Sequence, residues 1–335
     1  MAIHGWLIID KPVGPGSTPI VSAVKRALRE GDYPKVKVGH GGTLDPLASG
    51  VLPVALGEAT KLAGRMLDSD KVYEFAIGFG TETSTLDAEG EAVATSDVRP
   101  TLEQVEAVLP RFTGEIEQVP PAYSALMVEG KRAYDRARAG EHVEMKTRRV
   151  TVHSLQILPG TGRGTAARSD VVEGSRAPAS LERPRPLHHA AHGPPPRSGE
   201  ELDAVTLVAH VSKGTYIRSL ARDIARALGT VGSVTLLRRS KAGPFTLEQA
   251  ISLDKLGELA KARDLEQALL PLTAGLDDIP ALSVTPDQAR LLRQGQKAIG
   301  IAAQPGLYLA TDQSVPVALV ELSEGQLRVV RGFNL

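Results

Sequence analysis

The sequence predicts a chain of mixed strands and helices closed by a small β-rich module. Three observations carry that expectation: apolar runs and period-two alternation between Trp6 and Phe79, a 3.6-period apolar face over residues 215–228, and closely spaced turn signals beyond Asp278. Residues 6–9 (Trp-Leu-Ile-Ile) read as a buried strand stopped by Asp10-Lys11-Pro12. Ser17 or Thr18 can cap a helix through about Glu30, with Pro19 in its first turn and Val21, Val24 and Leu28 on one face. Residues 51–56 are a second strand and 58–67 a helix, and Tyr73, Phe75, Ile77 and Phe79 alternate as in a half-exposed strand. A helix over 102–112 precedes the Pro-interrupted segment 118–123. A short helix is expected near 131–139 and a strand over 149–158. Strand 204–211 then leads into a helix over 215–228, whose Ile217, Leu220, Ala221, Ile224, Ala225 and Leu228 share a face and which Gly229 ends. A strand at 233–237, a helical stretch over 252–268 and short turn-punctuated segments around Gly295, Pro305-Gly306, Glu324-Gly325 and Arg331-Gly332 complete the chain.

Residues 159–202 break this pattern. They are rich in proline and glycine, lack aliphatic periodicity and include His188, His189 and His192. Too little apolar surface is available there to offset the ordering entropy, so a solvated, disordered insertion is expected. With no carboxylate or cysteine interleaved, the histidines read as part of that insertion and not as a metal site.

Composition narrows the function classes. At 335 residues, a main domain plus an accessory one is expected. The chain has no cysteine, which excludes disulfides, thiolate catalysis and cysteine-based metal sites. No run approaches the ~20 apolar residues of a membrane span, and the N-terminus lacks a basic region and cleavage site, so a cytoplasmic location is expected. Net charge is zero but segregated: Lys213, Arg218, Arg222, Arg226, Arg238, Arg239 and Lys241 face the single acid Asp223 across residues 205–245. A basic face is permitted by this pattern, and with it a nucleic-acid partner.

Two segments could carry chemistry. In residues 39–50 (Gly-His-Gly-Gly-Thr-Leu-Asp-Pro-Leu-Ala-Ser-Gly), four glycines bracket His40 and Asp45, and Pro46 holds Asp45 extended. A carboxylate on a rigid loop suits positional catalysis, although spacing alone favours a structural turn. No Gly-Lys-Ser/Thr follows and no G-x-G-x-x-G opens a helix, so this is neither a phosphate loop nor a dinucleotide site. In residues 212–218 (Ser-Lys-Gly-Thr-Tyr-Ile-Arg), strand passes into helix, and Arg218, Arg222 and Arg226 follow at four-residue spacing. Such a stripe is ordinarily a solvated face, and it becomes favourable where a carboxylate or RNA phosphate sits beside it.

Residues 39–61, Asp10-Lys11-Pro12 and Ser-Lys-Gly-Thr-Tyr-Ile-Arg at 212–218 together resemble the bacterial TruB-type tRNA pseudouridine-55 synthases. The resemblance continues through Lys71-Val72-Tyr73, residues 83–90, residues 118–125 and Leu236-Leu-Arg-Arg239. It implies an α+β catalytic domain over 1–276, built on a mixed, largely antiparallel sheet with flanking helices and a basic cleft. A small C-terminal PUA-like β-barrel would occupy 277–335. The implied roles are Asp45 as catalytic carboxylate, Tyr73 stacking on the target base and Arg218 as the ion-pair partner of Asp45. His40, Tyr216, Leu237, Lys11 and Lys213 would bind substrate, and 124–150 would be a flexible RNA-gripping loop. Two departures stand out: Gly41 where the family usually has Thr, and Gly16-Ser17 where it has a Ser-Ser pair. The implied reaction isomerises uridine in the T-loop of tRNA, with no cofactor, no metal, no membrane and no obligate protein partner. A non-catalytic tRNA-folding chaperone and a ribosomal-RNA synthase are the rival readings.

Overall fold

The computed structural model describes residues 3–158 and 199–335. Of the expected insertion, only its last four residues fall within that range, and they belong to the fold. Leu202 is buried and its N–H donates to the Pro100 carbonyl at 2.9 Å. The three insertion histidines lie outside the described residues.

In chain order, the elements used below are β1 (Gly5–Lys11), α1 (Ser17–Glu30), β2 (Val38–His40), β3 (Ser49–Leu56), β4 (Lys71–Phe79) and β5 (Gly114–Gln118). They continue with β6 (Arg148–Ile157), β7 (Ala204–Val211), α2 (Ile217–Ala227) and β8 (Gly232–Ala242). The chain divides into two compact units: Met1–Val72 with Arg238–Leu335, and Tyr73–Leu237.

In the first unit, β1 is antiparallel to β3 from Gly5↔Leu56 to Lys11↔Gly50. Strand β2 also pairs with β3, and the end of β8 runs parallel to it through Arg238↔Ser49 and Arg239↔Gly50. The apolar run of β1 earns its strand by burial on both faces: Trp6, Leu7, Ile8 and Ile9 are fully inaccessible. Trp6 packs on Phe245 with ring centroids 5.2 Å apart and donates its indole N–H to the Leu272 carbonyl. The β-rich C-terminal portion orders its strands as Ala281–Ser283, Gly306–Asp312, Val315–Ser323, Gln326–Gly332 and Ala298–Ile299. Leu309 and Leu319 from this sheet, with Phe333 just after its strand Gln326–Gly332, join the core around Trp6, Ile8 and Val51. A second core forms against the helix Pro286–Arg293, where Ala289 and Leu292 meet Ala318, Val320 and Leu327.

In the second unit the order is β8 up to Leu237, then β4, β7, β6 and β5. Strand β6 runs antiparallel to both of its neighbours, β7 and β5. Phe75, Ile77 and Phe79 of β4 are buried while Tyr73 stays partly exposed, so the period-two reading holds and Tyr73 is not needed for the core. Helix α2 buries the predicted face, with Ile217, Leu220, Ala221, Ile224 and Ala225 inside.

Several boundaries move for identifiable reasons. The helix expected over 58–67 is a 3-10 turn, Gly57–Leu62, followed by a short α-helix, Ala63–Asp68. The helix near 131–139 narrows to Ala133–Arg138. The stretch 252–268 is α-helical only over Leu253–Lys261, with a 3-10 turn at Leu265–Gln267 beyond the break where Arg263 takes a left-handed φ of 57°. Strand 233–237 continues to Ala242 through Arg238 and Arg239, whose charges are satisfied inside the unit. Gly16, not Ser17 or Thr18, occupies the cap of α1 and makes no side-chain cap bond.

Candidate active site

The loop after β2 is tied down on both sides of Asp45. Ser17 Oγ accepts the Leu44 N–H at 2.8 Å and donates back to the Leu44 carbonyl at 3.2 Å. The Pro46 carbonyl accepts from the Gly14 N–H at 2.9 Å and from Lys11 Nζ at 3.3 Å. The Asp45 carbonyl accepts the Ala48 N–H at 3.1 Å, while the residue itself is half-buried. A carboxylate whose two neighbours are each fixed by hydrogen bonds has little backbone freedom, which is the condition for pre-organised chemistry. Two glycines are required by this path. At Gly50, φ is +103° and a Cβ would stand 2.2 Å from the Arg239 carbonyl oxygen. At Gly42, φ is +138°, beside the Arg239 guanidinium.

Lys11, expected to bind substrate, is fully buried. Its ammonium donates to the carbonyls of Pro12 at 2.8 Å and Pro15 at 2.7 Å as well as to Pro46. Its place is that of an interior clamp joining the 12–15 turn to the Asp45 loop; an ammonium so committed to carbonyls is not displayed to an incoming RNA. His40 ends β2 and accepts a long bond from the Gly42 N–H to Nδ1 at 3.4 Å. Burial, reinforced by the positive charge of Arg239, holds its imidazole below the ordinary histidine pKa of 6.5. His40 is therefore neutral at physiological pH.

The departures from the family pattern are locally compensated. A Cβ at Gly41 would lie 2.6 Å from Cβ of Met66, so Met66 already fills the space a larger residue would need. Gly16 gives up a cap, while Ser17 beside it keeps the tether to Leu44.

The second unit holds the other predicted residues. Tyr216 caps α2, and its backbone is gripped on both sides by one amide: Gln118 Oε1 accepts the Tyr216 N–H at 2.8 Å, and Gln118 Nε2 donates to the Tyr216 carbonyl at 3.0 Å. The Arg148 guanidinium lies 5.5 Å from the Tyr216 ring centroid, a cation–π distance. Arg218, one helical step on, is buried. It donates to the carbonyls of Thr85 at 2.8 Å and Tyr123 at 3.0 Å, and pairs with Asp87 at 3.4 Å. Asp87 is itself oriented by the Thr85 hydroxyl and the Glu89 N–H. Lys213 is exposed, Tyr73 half-buried, and Leu237 buried on β8.

The arginine stripe of α2 is not a bare basic face. Arg218 meets Asp87, Arg222 meets Asp223 at 2.8 Å, and Arg226 meets Glu82 at 2.8 Å. Carboxylates from within the unit offset the like-charge repulsion and the adverse helix dipole. Likewise Arg238 makes a two-point contact with Asp10 at 2.9 and 3.1 Å, and Arg239 is buried. Most of the basic cluster read from composition is thus consumed by internal partners.

Four positioning residues escaped the sequence reading: Ser17, taken for a cap; Arg239; Asp87; and Gln118. Three of them stood inside quoted motifs, at 83–90, 118–125 and 236–239. The motif was visible, but what each side chain reaches is not encoded in spacing.

Comparison with known proteins places this arrangement. Residues 25–175 match the TruB family pseudouridylate synthase N-terminal domain, and residues 218–277 the tRNA pseudouridylate synthase B C-terminal domain. The chain is 59% identical over 333 residues to the tRNA pseudouridine synthase B of Novosphingobium aromaticivorans, covering 99% of this chain and 98% of that one. It is 57% identical to that of Zymomonas mobilis, covering 99% and 97%. Among solved structures, it resembles a chain in an H/ACA RNP bound to a substrate RNA containing 2′-deoxyuridine (TM-score 0.65, 21% identity, 99% and 85% covered). A chain in a Cbf5-Nop10-Gar1 complex gives TM-score 0.65 at 24% identity, with 99% and 84% covered, which speaks to fold alone. The chain belongs to the TruB family of pseudouridylate synthases.

Proposed function

We propose that this protein isomerises uridine to pseudouridine at position 55 in the T-loop of transfer RNA, with Asp45 as the catalytic carboxylate. Family membership supports the reaction. The observation that carries the assignment of Asp45 is the double tether, Ser17 on Leu44 and Lys11 with Gly14 on Pro46, which fixes this one carboxylate on a glycine-bounded loop. In the reaction the N1–C1′ bond breaks, a C5–C1′ bond forms, the C5 proton leaves and N1 gains one. Nothing is oxidised, so the chemistry asks for a charged oxygen near the sugar and a means of holding the detached base. Asp45 supplies the first, by attack at C1′ or by proton removal at C2′. Tyr73 offers an aromatic face to the flipped base, recovering about 1–3 kcal/mol of the unstacking cost. Arg218 provides the counter-charge to Asp45, Tyr216 and Leu237 shape the base site, and neutral His40 enters the space the base vacates in the T-loop. Lys213, which is exposed, contacts RNA phosphate. The protein works in the cytoplasm on tRNA without a protein partner or cofactor.

The test is tritium release from tRNA carrying uridine labelled at C5. The wild type releases tritium from a tRNA transcript, while Asp45→Asn binds tRNA and releases none. Release by Asp45→Asn at the wild-type rate would remove Asp45 from the mechanism. Binding without release by the wild type would make the protein a tRNA-folding factor, and release only from a ribosomal transcript would reassign the substrate.

A further inference from the structure

The loop that carries Asp45 is bolted at both ends by one buried side chain that has no role in the reaction as written. The Arg239 guanidinium donates through Nε to the Val51 carbonyl at 2.8 Å, through Nη1 to the Thr43 carbonyl at 3.2 Å, and through Nη2 to the Gly42 carbonyl at 3.3 Å. Gly42 and Thr43 begin the loop and Val51 follows it, so the three bonds span the residues on either side of Asp45. The backbone of Arg239 does the same from the strand side. It is in parallel register with Gly50, which lies so close that no side chain fits between. Arg239 is 1% exposed, so these bonds are shielded from water, and a cation there is tolerable only because backbone dipoles surround it.

We propose that Arg239 is the positioning residue of the catalytic loop, fixing the distance between its two ends and thereby the place of the Asp45 carboxylate. The proposal rests on Asp45 being the catalytic group. A planar fork with donors in three directions is what this geometry requires. Lysine carries a point charge with tetrahedral donors and cannot reach both ends of the loop in one conformation. Because among the described residues the fork contacts no carbonyl beyond the loop's own ends, its loss displaces the carboxylate without removing any RNA-contacting group. A misplacement of about 1 Å at the reacting atoms costs on the order of 100-fold in rate.

The experiment compares wild type, Asp45→Asn, Arg239→Lys and Arg239→Met in single-turnover tritium release, with tRNA affinity measured separately by filter binding. Arg239→Met is expected to lose roughly 100-fold in the rate of the chemical step, and Arg239→Lys roughly tenfold, each with tRNA affinity within about twofold of wild type. An independent readout is the imidazole titration of His40 by NMR. In Arg239→Met its pKa rises towards 6.5 as the neighbouring positive charge is removed, and in Arg239→Lys it does not. A general loss of structure would weaken binding and rate together. That outcome in Arg239→Lys, or full catalytic rate in Arg239→Met, overturns the proposal. Where Arg239→Met does not fold, Arg239→Lys decides, since it keeps the charge and removes only the fork. Failure of the underlying assignment shows separately, as activity retained by Asp45→Asn.

Discussion

Replacing Gly50 by alanine isolates the close approach of β3 and β8 beside the Asp45 loop. The Cβ would lie 2.2 Å from the Arg239 carbonyl oxygen and 2.9 Å from its carbonyl carbon and amide nitrogen, all backbone atoms that cannot rotate away. Ordinary contact begins at 3.4 Å, so 3.4 − 2.2 = 1.2 Å of separation is needed where the two strands are in register. Forcing that gap resembles overpacking, at about 1–3 kcal/mol, and φ of +103° adds on the order of 1–3 kcal/mol of strain for an L-residue. The expected destabilisation is therefore about 2–6 kcal/mol. Gly39 is the internal control: it stands in the same segment, at an ordinary φ, with nothing within 4 Å of its would-be Cβ. Alanine there should alter stability by no more than about 0.5 kcal/mol. Urea unfolding of both variants, followed by far-UV circular dichroism, gives the comparison from the midpoints at constant slope. Equal midpoints for Gly50→Ala and Gly39→Ala would refute the steric argument.

Two further outcomes follow from the site. Asp87→Asn removes a carboxylate from the buried Arg218 while keeping shape and most hydrogen-bonding capacity. We expect a loss of about 1–3 kcal/mol in urea unfolding, below the ~3–5 kcal/mol of a fully orphaned buried charge because the Thr85 and Tyr123 carbonyls remain. The rate of tritium release should fall with it. For His40, the folded-state pKa lies below 6.5, so the unfolded chain binds a proton more readily. Its contribution is fully present above about pH 6.5 and is lost as pH falls through 6.5 towards the lowered folded value. Between pH 7.5 and 5.5 the urea midpoint of wild type should therefore fall more steeply than that of His40→Gln, and parallel slopes would exclude His40 as the source.

The sequence by itself determined the elements whose pattern is local. The fully buried run of β1, the alternation of β4 and the apolar face of α2 were legible because burial repeats with the period of the backbone. The ordered motifs also identified the family, since several distant matches in one order constrain a chain far more than any glycine loop does. Tertiary structure alone decided what the charges do. Lys11 is fully buried against backbone carbonyls, and the arginine stripe of α2, whose spacing asks for a carboxylate or a phosphate beside it, is met by carboxylates. Ser17 read as a cap and is the hinge pin of the loop. A hydrogen-bond or ion-pair partner is chosen by which segments the fold brings within about 3 Å, and partners 27, 35 or 188 residues apart in the chain leave no periodic trace.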